Sequence, residues 1–86
     1  MAPLIVVCGE DCAYCKKAKM LIGRALVNEP RFTPLDIVYV LEDSEAGKAY
    51  PHTLIPALFC GAALLFEGNP KMDDIVSAMN TCAASC

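Results

Sequence analysis

The chain has 86 residues, 56% of them apolar and 20% charged, with a formal net charge of −3. That length suits one domain (1-86) with one core, burying roughly 60% of the unfolded chain's surface, and the apolar content argues against disorder. An acidic chain without a basic stripe points away from nucleic acid and anionic membranes as partners. The longest uncharged run, residues 53–66, contains Pro56 and Gly61 and is shorter than a membrane span. The N-terminal apolar stretch lacks the basic region of a secretory leader, so a cytoplasmic location is the expectation; a chain this small without an added interface signal is expected to act as a monomer.

Leu4 to Cys8 is a continuous, β-branched-rich apolar run, which reads as a strand buried on both faces. Gly9, Glu10 and Asp11 break it. From Ala13 the period turns helical: Tyr14, Ala18, Leu21 and Ala25 fall at i, i+4, i+7 and i+11, and Met20, Ile22 and Leu26 widen the apolar surface. Asn28 and Pro30 end this helix. Residues 35–41 read as a second strand. Strand, helix and strand within about 40 residues make a βαβ unit with parallel strands. Residues 42–50 suggest a short helix. Ala57 to Cys60 and Ala63 to Phe66 flank Gly61-Ala62 and read as a hairpin. Asn69 is the expected N-cap and Pro70 the first residue of a last helix, whose apolar stripe is Met72, Ile75, Val76, Met79 and Cys82 or Ala83. The order is β-α-β-α-β-β-α, an α/β fold.

Six cysteines is a high density. In a chain read as cytoplasmic, they point to reduced thiols, a metal site or a redox motif rather than to a disulfide scaffold. Cys12-Ala13-Tyr14-Cys15 stands where the first strand feeds the first helix. Residues i and i+3 share a helix face, so the two sulfurs can bond without backbone movement. Free N–H groups and the helix dipole stabilise an anion there, and cysteines in such settings commonly titrate at roughly 3.5–7.5 rather than about 8.5. Cys12 is the expected nucleophile and Cys15 the resolving thiol.

Val6-Val7-Cys8-Gly9 followed by Cys12-Ala13-Tyr14-Cys15-Lys16-Lys17-Ala18-Lys19 resembles the active-site region of glutaredoxins. Thr53-Leu54-Ile55-Pro56-Ala57-Leu58-Phe59 is similar to the Thr-Val-Pro segment leading into the third strand across the thioredoxin superfamily. Phe66-Glu67-Gly68 with Asp73-Asp74 matches more weakly the elements before the last helix. Ala13 stands where the family has proline, and Leu54 fills its threonine slot. The resemblance implies a thioredoxin (glutaredoxin-like) fold, a four-stranded mixed sheet in the order 2-1-3-4 with helices on both faces. It also implies a cis Pro56 facing the motif, and an Ile55 backbone and Tyr14 ring that hold substrate.

The implied activity is thiol–disulfide oxidoreduction on protein or glutathione mixed disulfides. No cofactor is built in, and glutathione or a thioredoxin-type reductase recycles the dithiol. The alternatives are a thioredoxin-like donor served by a flavin reductase and, in another class, a zinc or iron–sulfur module. Cys12, Cys15, Cys82 and Cys86 formally give a four-thiolate pattern. Packing parallel, as in the family, the first and last helices hold those pairs apart. Cys82 and Cys86 also allow a second dithiol. Otherwise Cys8, Cys60 and Cys82 read as small core hydrophobes, Cys86 as a fraying end and His52 as a surface residue. Tyr14 could be core instead of groove. Lys16, Lys17 and Lys19 could attract carboxylates or form a solvated face.

Overall fold

The computed structural model describes residues 3–84. β1 (Leu4–Cys8) is the central strand, and every one of its residues is buried. It pairs in parallel with β2 (Ile37–Leu41) and antiparallel with β3 (Ala57–Cys60), which pairs antiparallel with β4 (Ala63–Glu67). The sheet order is therefore β2-β1-β3-β4, the 2-1-3-4 order expected.

Alternation along the strands divides the core in two. Leu4, Val6, Cys8 and Leu58 face α1 (Ala13–Asn28) and α3 (Met72–Ala84), packing on Ala18, Leu21, Ile22, Ile75 and Met79. Ile5, Val7, Ala57 and Phe59 face the other way, covered by Val38, Val40, Tyr50 and Ile55. The Tyr50 and Phe59 rings lie 5.1 Å apart. Both sheet faces are thus filled, which is why β1 reads as an unbroken apolar run. The cover is unequal: two long helices on one side, and on the other the segment after the one-turn α2 (Glu45–Lys48).

Several local expectations shift. The buried face of α1 is Cys15, Ala18, Leu21, Ile22 and Ala25. Successive helical residues are about 100° apart, so a stripe centred on Cys15 turns Tyr14 outward, and Tyr14 is 50% exposed. Met20, at 48%, is also outside the core. β2 begins at Ile37 rather than residue 35. The Leu35 amide is turned back onto the Phe32 carbonyl, and the Asp36 carbonyl accepts the Leu4 amide. A 3-10 turn (Pro30–Phe32), unsignalled in the periodicity, buries Phe32 against α1. α3 begins at Met72 rather than Pro70. Pro70 is fully buried, Asn69 Oδ1 accepts Lys17 Nζ, and Asp74 Oδ2 takes the Lys71 amide that opens the helix.

Candidate functional site

Cys12 is the N-cap of α1, with extended backbone (φ −101°, ψ 113°). Its Sγ accepts the Cys15 amide at 3.2 Å, and its carbonyl accepts the Lys16 amide at 3.1 Å. A first-turn N–H, which has no partner inside the helix, is therefore aimed at sulfur. Cys12 is half-buried, whereas Cys15 is 4% exposed. Both are free thiols. Burial, followed by a side-chain hydrogen bond to Cys12, pushes the Cys15 thiol up to about 12, against a hydrogen bond from the Gly9 main chain. An accessible sulfur beside a buried, proton-holding one is the division of labour expected of an attacking and a resolving thiol.

The second half of the site comes from the loop before β3. The Ile55–Pro56 peptide is cis, as the resemblance implies. Pro56 is fully buried and its carbonyl accepts the Gly68 amide at 3.0 Å. Gly68 has φ +102°, a conformation that side chains rarely adopt, and any Cβ there would also press on Leu54 Cδ1 at 3.3 Å. Glu67 Oε2 accepts the Thr53 amide at 3.1 Å and the Leu54 amide at 3.5 Å. The end of β4 and the glycine after it thus fix the loop at three backbone points. Sequence reasoning missed Glu67, because a lone carboxylate at a strand end carries no pattern. Among the described residues no hydrogen bond engages the main chain of Ile55.

Gly9 joins the halves. A Cβ placed on it would lie 2.8 Å from Ile55 Cδ1, 3.0 Å from Glu42 Oε2 and 3.8 Å from Cys12 Cβ. Ile55 and Cys12 therefore flank one glycine. Beside it is an open cavity of about 250 Å³ lined by Gly9, Glu10, Glu42 and Asp43. The wall next to the cysteine pair is acidic. The lysines of α1 are engaged differently: Lys17 binds Asn69, Lys19 Nζ lies 4.7 Å above the Tyr39 ring, and Lys16 is exposed.

The remaining cysteines depart from the sequence reading. Cys60, at the end of β3, and Cys82, in α3, are not two separate hydrophobes but a disulfide pair, with Cα atoms 5.4 Å apart. That separation is near the usual value for a bridge. A strand end and a helix face distant in sequence give no spacing signal for such a pairing. Cys82 is thus committed to Cys60. The proposed Cys82–Cys86 dithiol and the four-thiolate pattern both need Cys86, which lies outside the described residues. Among the described residues, no cluster of three or more candidate ligands could hold a metal ion. His52 is partly buried and its Nδ1 lies 2.7 Å from the Tyr50 carbonyl oxygen. No described helix is long and apolar enough to cross a membrane. No family model matches the chain, nor does any curated protein or solved structure.

Proposed function

We propose that the chain is a glutaredoxin-like thiol–disulfide oxidoreductase with a thioredoxin-type fold. The observation that carries this reading is Cys12 as the N-cap of α1, its sulfur on the Cys15 amide, with a cis Ile55–Pro56 loop anchored alongside. The 2-1-3-4 sheet supports it.

Cys12 attacks one sulfur of a substrate disulfide as thiolate. A mixed disulfide forms and the other substrate sulfur leaves as a thiolate, taking up a proton. Cys15 then attacks the Cys12 sulfur, the internal disulfide forms and the second substrate thiol departs. Two electrons have passed from the Cys12–Cys15 dithiol to the substrate. Two thiols of glutathione, or a dithiol reductase, return them. The free main chain of Ile55 offers an extended substrate a donor and an acceptor, and the exposed Tyr14 and Leu54 offer it apolar contact.

The recycling partner is where a second reading has support. Glutathione carries net negative charge, and Glu10, Glu42 and Asp43 line the adjoining cavity. That wall favours a reductase-served donor acting on neutral or basic disulfide segments. Disulfides are common in oxidising compartments and rare in reducing ones, and the Cys60–Cys82 bond fits the former. The Cys12–Cys15 chemistry operates in either. The test is trapping: Cys15→Ser should hold disulfide substrates covalently on Cys12, and Cys12→Ser should hold none. Equal capture by both variants would remove the assigned roles.

A further inference from the structure

Cys8 is the third free thiol of the described residues and the scheme above does not use it. It ends β1, one loop before Cys12, and is buried in the same core cluster as Cys15. Cys15 has its amide on the Cys12 sulfur and is packed in the core together with Cys8. A cavity of about 160 Å³ opens onto Cys8 and Cys15 together, its lining completed by Gly9, Glu10, Lys16 and Lys19. Cys12 takes no part in that lining. Cys15 therefore has one cysteine at its helix cap and another along the cavity wall.

We propose that Cys8 exchanges with the Cys12–Cys15 disulfide, moving the bond to Cys8–Cys15 and releasing Cys12. The inference rests on the CxxC reading. Cys8, as thiolate, attacks the Cys15 sulfur; the Cys12–Cys15 bond breaks, and Cys12 leaves as a thiolate that takes up the proton Cys8 lost. No electrons enter or leave, so no further oxidant or reductant is required. Burial raises the Cys8 thiol above its ordinary value, so the exchange is slow at neutral pH and quickens as pH rises, with Lys16 and Lys19 of the cavity wall facing the passing negative charge. The oxidised protein then stores its disulfide in the core while Cys12 is free to exchange with a second disulfide.

The experiment uses the full chain. Wild type, Cys12→Ser and Cys8→Ala/Cys12→Ser are oxidised with diamide, alkylated under denaturing conditions and digested with trypsin. Residues 1–16 form one peptide, ending at Lys16, that carries Cys8, Cys12 and Cys15. Serine is a good N-cap, so Cys12→Ser preserves the start of α1. The expected result is a Cys12→Ser peptide that loses both alkyl tags and two hydrogens, with Cys15 tagged again in the double variant. In wild type, part of the oxidised peptide carries its single tag on Cys12. Tags or oxidant adducts on both Cys8 and Cys15 of Cys12→Ser, with an intact Cys12–Cys15 bond in wild type, overturn the inference and leave the CxxC reading standing. Three tags on oxidised wild type overturn both.

Discussion

The sulfur of Cys12 accepts the main-chain N–H of Cys15 at 3.2 Å, so the expected nucleophile is also the cap of its own helix. Catalysis and local stability are therefore separable by the choice of substitution. Cys12→Ser keeps an N-cap oxygen and should leave stability near wild type while abolishing turnover. Cys12→Ala removes the cap as well and should be about 0.5–2 kcal/mol less stable than Cys12→Ser. Urea midpoints of the two variants, set beside their turnover, check this.

The resolving step carries a pH signature. Desolvation is the largest cause of the raised Cys15 value and persists when Cys12 holds substrate, whereas the Cys12 hydrogen bond does not. With its thiol held up to about 12, Cys15 is almost wholly protonated at neutral pH, and its thiolate fraction climbs with pH. Breakdown of a trapped mixed disulfide should accelerate from pH 7 upward, approaching tenfold per unit, since only the thiolate attacks. Quenching at intervals with acid and alkylation measures it. A rate independent of pH would show that Cys15 does not resolve the intermediate.

Gly9 couples the two halves of the site through contact. In Gly9→Ala the new methyl meets Ile55 Cδ1 at 2.8 Å and Glu42 Oε2 at 3.0 Å. Both are side-chain ends that can move, so the stability cost should sit near the lower end of the roughly 1–3 kcal/mol typical of overpacking. Displacing Ile55 should raise KM more than it lowers kcat. The double variant Gly9→Ala/Ile55→Val should recover most of the KM loss. Additive effects in that double-mutant cycle would mean the two residues do not communicate.

The Cys60–Cys82 bridge closes a loop with a sequence separation of 22. Chain-entropy arguments give such a loop about 3 kcal/mol of stabilisation. The Cys60→Ala/Cys82→Ala variant should lose roughly that much by urea unfolding, and wild type should lose a comparable amount when reduced. Indistinguishable midpoints with and without reductant would remove the bridge as a stabilising element.

The acidic wall should act on charged substrates. Turnover of glutathione mixed disulfides should rise with ionic strength as Glu10, Glu42 and Asp43 are screened. Glu42→Gln should raise kcat/KM for them at low salt, by a factor of a few, and raise it little at high salt. A salt-independent rate for wild type would place the substrate away from that wall.

Much of this architecture was legible because strong local signals agreed. The bounds of β1, Leu4–Cys8, can be read from its unbroken apolar run, since a strand covered on both faces shows no alternation. The hairpin differed only by Glu67 joining β4. The start of α1 followed from the residues after Gly9. What escaped was tertiary in origin. The Cys60–Cys82 pairing joins a strand end to a helix face. The entry to α3 differs because Asn69 has the composition of a cap, yet its Oδ1 accepts the Nζ of Lys17 on α1 in an exposed contact. Tyr14 looked periodic with Ala18 and Leu21, but the buried stripe is set by Cys15, one position on. At the site, Cys12 and Cys15 stand out by their spacing and Ile55 and Pro56 only through the resemblance, whereas Glu67 and Gly68 emerge only when β4 is placed beside the loop.

Everything proposed for this site depends on Cys12 and Cys15 turning over disulfides. A paired assay on purified, metal-analysed protein tests it most directly. One arm supplies glutathione, glutathione reductase and a mixed disulfide; the other supplies a thioredoxin-type reductase and a protein disulfide. Turnover is expected in at least one arm, abolished by Cys12→Ser, with the second arm favoured by the acidic wall. No turnover in either, with zinc or iron bound near one equivalent, would contradict it and make the thiolates ligands.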